Sequence, residues 1–307
     1  MHILKPLSSA TIAKEIAAIY QKTMRETART DRTTPTRVLY LRPSQLPFCP
    51  LDFFVQNAEQ GLLRTLDFAG AFYTSVGTTV HEVMQEFLCR SGRFLADYFC
   101  AECETWHKLS YTHEHCGFPT KYHEITIDYK GIRGHIDAVY KDKNGKLWIL
   151  DFKTTSVASA PKKQKDPGVT YIEQIETYAV LFELQYGMKI EGIMDAFILR
   201  DNPRQSPVIY AKKLTDEQRQ RIKSKLSRYK RMHRETLDAE AWSDVLALFD
   251  HGRCTNPYCS MCKLDDENIE KRLKSAYKRA KEHKRLPLRA YVERELEKEK
   301  KRSIITS

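Results

Sequence analysis

The chain has 307 residues and a formal net charge of +11, from 51 Lys and Arg against 40 Asp and Glu. It contains no run of eighteen apolar residues, which argues against a membrane-spanning helix. Its start, Met1-His2-Ile3-Leu4-Lys5-Pro6, lacks the apolar stretch of a secretory leader. A cytoplasmic setting is expected. There the eight cysteines are better suited to metal ligation than to disulfides, and the basic excess suits a polyanionic partner.

Ser8–Thr30 reads as an amphipathic helix with a Ser8/Ser9 cap and Ile12, Ile16, Ile19 and Tyr20 on one side. A polar, Pro-containing stretch around Asp31–Pro35 ends it. Ser44 onward leads into a helix through Gln60, and Ala71–Arg90 predicts a long helix carrying His81. Ser91–Pro119 is rich in Cys and His and predicts an irregular segment. His123–Lys130 follows as a strand. Ile132–Lys141 and Leu147–Lys153 then predict buried antiparallel strands about the turn Asp142-Lys143-Asn144-Gly145-Lys146. Beyond a Lys/Pro/Gly loop over Ala160–Gly168 come a helix Val169–Tyr186 and strands Gly192–Arg200 and Val208–Leu214. Thr215 caps a basic helix to about Leu237, and a charged helical tail ends the chain. The order implies an α/β (α+β) core, a mixed sheet flanked by helices.

The hairpin carries the chemistry. A two-residue Asn144-Gly145 turn would put Asp137 and Asp151 on opposite faces. A three-residue loop with Gly145 in the left-handed conformation pairs Asp142 with Lys146 and sets the two carboxylates face to face. Lys153 shares the face of Asp151 in either register. Opposed buried carboxylates are destabilising, and a divalent cation relieves the repulsion. The alternative is an ordinary Asp151–Lys153 ion pair at a strand end with Asp137 in solvent. In the helix after the hairpin, Gln174 and Tyr178 stand four apart on one face.

The ordered series Gly77…His81, Gly134-His135-Ile136-Asp137, Asp151-Phe152-Lys153-Thr154 and Gln174…Tyr178 resembles the RecB-like branch of the PD-(D/E)XK nuclease superfamily. The resemblance implies that His81, Asp137, Asp151 and the Phe152 carbonyl hold Mg²⁺ or Mn²⁺. It also implies that Lys153 is the catalytic lysine and that Gln174 and Tyr178 contact DNA near the active site.

Two cysteine groups lie outside that series. Cys254, Cys259 and Cys262 form a C-x4-C-x2-C cluster, for which Cys49, between Phe48 and Pro50, is the candidate fourth ligand. This arrangement resembles the iron–sulfur RecB-like nucleases, including CRISPR-associated and phage exonucleases, and implies a 4Fe–4S cluster stapling the two ends of the nuclease domain. Four thiolates also suit Zn²⁺. Cys100, Cys103, His113 and Cys116 have the spacing of a zinc ribbon or knuckle, with His115 or His107 able to replace His113.

The domain reading is a nuclease domain over 1–264, with a Cys/His insert at 98–120, and a charged helical tail over 265–307. The expected activity is Mg²⁺- or Mn²⁺-dependent DNA hydrolysis, favouring a single-strand exonuclease. The alternatives are an endonuclease or CRISPR-adaptation nuclease, and a silent DNA-binding accessory protein. The substrate would be single-stranded or free-ended DNA in a bacterial or phage-infected cell. Because no Gly-x4-Gly-Lys-Ser/Thr motif occurs, strand separation would come from a helicase or recombination partner. Lys162, Lys163 and Lys165, and a series from Arg219 to Arg231, are candidate phosphate-tracking cations or a solvated face.

Overall fold

A computed structural model describes residues 14–19, 22, 42–45, 55, 68–202, 204–238, 261–262 and 264–282. The chain divides into two units, Met1–Thr36 with Gln60–Thr79, and Arg37–Glu59 with Val80–Ser307. In the smaller unit residues 14–19 are helical, and Ile16 and Ile19 are exposed. Helix α1 (Phe68–Cys89) begins in that unit and carries His81 in the larger one.

The larger unit is built on a mixed seven-stranded sheet. Its strands are β1 (Phe94–Cys100), β2 (Thr105–Ser110), β5 (Lys121–His123), β8 (Ala138–Lys141), β9 (Leu147–Thr155), β10 (Ile190–Leu199) and β11 (Val208–Lys213). The order is β11-β10-β9-β8-β1-β2, with β5 also on β1. The β9–β10 pair is parallel and the others are antiparallel. A parallel pair needs a crossover, which α2 (Ala160–Lys165) and α3 (Val169–Tyr186) provide. Small sheets of β3 (Glu114–His115) with β4 (Phe118–Pro119), and of β6 (Ile125–Tyr129) with β7 (Ile132–Ile136), complete the strands. The architecture is the expected mixed sheet flanked by helices. Among the described residues no helix is long and apolar enough to cross a membrane.

Period-two alternation gives the sheet two distinct faces. Leu95, Val139, Leu147, Ile149 and Ile193 pack with Ile175, Val180 and Phe182 of α3. The opposite face, with Phe94, Ala138, Leu150, Phe152 and Ala196, packs with Met84 of α1. Helix α3 spans the expected residues and stops where Gly187 takes φ +69° and its N–H bonds the Glu183 carbonyl.

Three expectations are corrected. Ser91–Pro119 is not irregular. It contains β1, an interior strand of the sheet, because Phe94, Leu95, Ala96 and Tyr98 bury almost completely and β1 pairs with β2, β5 and β8. The loop over Ala160–Gly168 holds the short helix α2, with Pro161 in its first turn. Several cations of α4 (Asp216–Asp238) are structural. Glu173 and Glu176 of α3 are buried, and Arg221 and Lys225 pair with them. Arg219 is buried too, bonding Glu183 and the carbonyls of Leu214 and Ile190.

Helix α4 starts with the expected cap. Thr215 Oγ1 accepts from Gln218 N–H, while Gln218 returns a bond to the Thr215 N–H. In the tail, α5 (Asp266–Glu282) has the expected i,i+4 ion pairs, Glu267–Lys271 and Glu270–Lys274. It is not exposed all round, since Leu273 and Ala276 are fully buried.

Arg219→Ala leaves Glu183 and two carbonyls without their shared donor. Breaking one side of such a buried pair is expected to cost about 3 kcal/mol of unfolding free energy. Chemical denaturation measures it, with Lys223→Ala on the exposed side of α4 expected to change little.

Candidate active site

The hairpin between β8 and β9 adopts the three-residue loop. Lys141 pairs with Leu147 and Ala138 with Leu150, and the Asp142 N–H bonds the Lys146 carbonyl at 2.9 Å. Gly145 sits at φ +78°, where its lack of a Cβ removes the usual strain. Asp142 locks the turn, its side chain accepting from the Asn144 N–H, the Lys146 N–H and Trp148 Nε1. Continued one step past Ala138, this register sets Asp137 opposite Asp151. The strand does not run straight through. It breaks at Asp137, where β7 leaves to pair with β6 and β8 joins the main sheet.

Five of the expected residues converge there. Asp137 Oδ2 accepts from the Phe152 N–H at 2.8 Å and lies 3.3 Å from His81 Nδ1. Asp151 Oδ2 is hydrogen-bonded to Lys153 Nζ. Phe152 lies edge-on to the His81 ring at 6.0 Å. Burial opposes charge on His81, but the hydrogen bond and charge of Asp137, helped by Asp151, outweigh it and raise its pKa. Burial pushes Asp151 up to about 6, and Lys153 only partly offsets it. Burial also works against the Lys153 ammonium, but Asp151 more than restores it, so the lysine stays charged well above neutral pH. Between those limits the site holds a charged Asp151–Lys153 pair beside Asp137.

Two acids were not anticipated. Glu124, between β5 and β6, puts a carboxylate oxygen with His81 and Asp137 in a group whose ligand atoms lie within 4.8 Å of one another. Gln85 of α1 holds it with a 2.8 Å hydrogen bond. Asp195 on β10 is paired in register with Asp151, and burial pushes it up to about 7, with the Asp151 charge adding to the shift. Neither had a local signal, because both reach the site through strand pairing rather than through a motif. The donor set of carboxylates and one imidazole suits a hard divalent cation.

Gly134 explains its own motif. A Cβ there would lie 2.9 Å from the Tyr178 ring and hydroxyl and 3.0 Å from Pro43 Cδ. Tyr178 is only 8% exposed. Its hydroxyl takes a hydrogen bond from the His135 backbone, and burial, with Asp151 and Asp137, raises its pKa. Gln174, a turn earlier, is half-buried. Lys153 and Lys163 both lie over the Tyr171 ring, at 5.4 and 4.8 Å.

The second cysteine group also assembles, with one change of member. Cys100, Cys103, His115 and Cys116 place their ligand atoms within 4.8 Å of one another. His115 Nδ1 is 3.4 Å from Cys103 Sγ and 3.2 Å from Cys116 Sγ. The first-choice His113 instead sets its Nδ1 3.3 Å from the Tyr111 carbonyl. The reason is the β3–β4 hairpin, whose Cys116-Gly117 turn has φ of 54° and 78° and folds His115 back beside its own neighbour. The thiols divide their proton unequally. Cys103, bonded to Thr105, is pushed down to about 6, and Cys116, bonded to Cys103, up to about 11. Of the outer cysteines, Cys262 is half-buried beside buried Met261. Cys49, Cys254 and Cys259 lie outside the described residues.

Two carboxylates, a lysine and a helical histidine thus meet where one strand breaks. The family model of the PD-(D/E)XK nuclease superfamily matches residues 90–266, more than half of the chain. The chain belongs to that superfamily. Comparison with curated proteins gives no match. Among solved structures, one described as "Crystal structure of SSO0001" is similar at 15% identity and a TM-score of 0.35, over 68% of this chain and 84% of that one.

The contact at Gly134 makes a test of the site's support. Gly134→Ala overpacks the wall against Tyr178 and is expected to lower stability by about 1–3 kcal/mol. In a Tyr178→Leu background the same substitution should cost clearly less, read by thermal or chemical denaturation of the four proteins.

Proposed function

We propose that this nuclease cleaves DNA with Mg²⁺ or Mn²⁺, acting as an exonuclease on single-stranded or free-ended substrates. The observation that supports it most is the convergence at one strand break of His81, 3.3 Å from Asp137, with the paired Asp151 and Lys153 just past the last β8–β9 pair. His81, Asp137, Asp151 and the Phe152 carbonyl would hold the cation, and Glu124 joins them through its place beside His81 and Asp137. The bound ion would supply Lewis-acid activation of the phosphate and a more acidic water. Lys153, half-buried and charged, stabilises the negative charge that grows on the phosphate oxygens and orients the attacking water. Gln174 contacts the DNA backbone, and Tyr178 holds the β7 wall in place behind it. The exonuclease preference rests on the likeness of the motif series to RecB-like exonucleases. On that reading a helicase or recombination protein supplies the strand, in the cytoplasm of a bacterial or phage-infected cell.

Purified protein with Mn²⁺ should degrade end-labelled linear single-stranded DNA and spare circles. Cutting of circles would establish the endonuclease alternative, and inactivity on every DNA form would overturn the reading. Asp151→Ala should lower the rate at least a thousandfold while DNA binding measured by anisotropy persists.

The cysteine group takes zinc on the same footing. Three sulfurs and one imidazole nitrogen within 4.8 Å have the size of a tetrahedral Zn²⁺ shell. Zinc there would fix a hairpin pair that has little core of its own. Cys49, Cys254, Cys259 and Cys262 remain the proposed ligands of a 4Fe–4S cluster. Metal analysis should find about one zinc per chain. Cys103→Ser/Cys116→Ser should lose that zinc and open residues 100–119 to proteolysis, while any visible absorbance of the iron–sulfur cluster is retained.

A further inference from the structure

Asp195 is 0% exposed, and neither carboxylate oxygen has a hydrogen-bond partner among the described residues. An unpartnered acid at that depth is costly, and core positions of an interior strand ordinarily carry apolar side chains. Its place in the sheet is specific. On the parallel strand β10 Asp195 stands beside Asp151, and Phe197 stands beside Lys153, so Asp195 faces the same side as the catalytic pair. Lys153 and Asp195 also interact electrostatically.

The unused acid matters because Lys153 and a cation make competing claims. Lys153 Nζ is bonded to Asp151 Oδ2, the carboxylate that the proposed function gives to the metal. With a cation held there, Asp151 would be less free to hold the Lys153 ammonium, and the like charges would repel. The ammonium, on a side chain only about one-fifth exposed, then gains from another anionic partner on the same face. Asp137 is committed to the Phe152 N–H and to His81. Asp195 is one strand away with both oxygens free of partners among the described residues.

We propose that Asp195 is a positioning residue, the alternative counter-ion that receives Lys153 when a cation occupies Asp151. This inference rests on the nuclease reading of the site. It makes Asp195 a functional group kept at the expense of stability. Asp195→Asn, of nearly the same shape but without charge, should therefore fold with Tm unchanged or raised by about 2–4 °C. With no second partner, Lys153 would cling to Asp151. Mn²⁺ affinity measured by calorimetry should then fall by about tenfold, and kcat should fall with it while DNA affinity stays the same.

The cycle with Lys153→Met separates this role from a structural one. In the Lys153→Met background, Asp195→Asn should leave Mn²⁺ affinity unchanged, because the competing ammonium is gone. The proposal is overturned if Asp195→Asn binds Mn²⁺ as wild type does, or if its defect persists without Lys153. If Asp195→Asn fails to fold by circular dichroism, the same cycle is run with Asp195→Ser. Should wild type itself bind no Mn²⁺ and cut no DNA, the nuclease reading fails. Normal wild-type activity beside an unaffected variant removes Asp195 alone.

Discussion

Everything at the site depends on forcing two carboxylates together. Asp137 and Asp151 stand one step beyond the Ala138–Leu150 pair because Asp142, Asn144 and Gly145 form a three-residue turn, which Asp142 fixes through three side-chain hydrogen bonds. A turn one residue shorter would send one carboxylate to the other face of the sheet. The repulsion that results is managed by several distributed partners. The Phe152 N–H and His81 hold Asp137, Lys153 holds Asp151, and burial keeps the proton within reach of Asp151. Such a grouping of acids favours the approach of positive charge.

The sheet's topology explains why this repulsion does not unfold the protein. β9 is an interior strand, held by β8 on one side and β10 on the other, with α3 covering one face and α1 the other. The apolar residues alternating with the acids, Leu150 and Phe152 against Leu147 and Ile149, anchor both faces. Three cations of α4 serve the same end, although they were open to a different reading. Arg219, Arg221 and Lys225 answer Glu173, Glu176 and Glu183 across the α3–α4 contact, so those charges are spent inside the fold rather than on a nucleic acid.

The parts legible in the sequence were those set by local rules. The turn residues narrowed the register to two choices, of which the three-residue loop is the one formed, the residues Val169–Tyr186 specified α3, and Thr215 specified the start of α4. What escaped was set by pairing across the chain. β1 lay hidden in a segment dense with Cys and His, because a strand buried on both faces shows no alternation. Glu124 and Asp195 have no meaning until β6 meets β7 and β10 meets β9. His113 had the better spacing to Cys116, yet a two-residue turn placed His115 there instead. Spacing along a chain assumes a smooth loop, and a tight hairpin breaks that assumption.

β1 also joins the candidate active site to the cysteine group, which would otherwise be unrelated. Its first residues, Phe94 and Leu95, pair with Tyr140 and Val139 of β8, the strand that begins just after Asp137. Its last residue, Cys100, is a member of the cysteine group. A metal that fixes Cys100 and Cys103 to the β3–β4 turn therefore pins the far end of an interior strand. The β1–β2 turn between those ends has little buried surface to do so, since Glu102, Cys103, Glu104 and Thr105 are exposed. Loss of that metal should first loosen the β1–β2 turn. The damage reaches Asp137 only if fraying travels the length of β1, past the fully buried Ala96 and Tyr98. Those two buried residues hold the middle of β1 between the two groups.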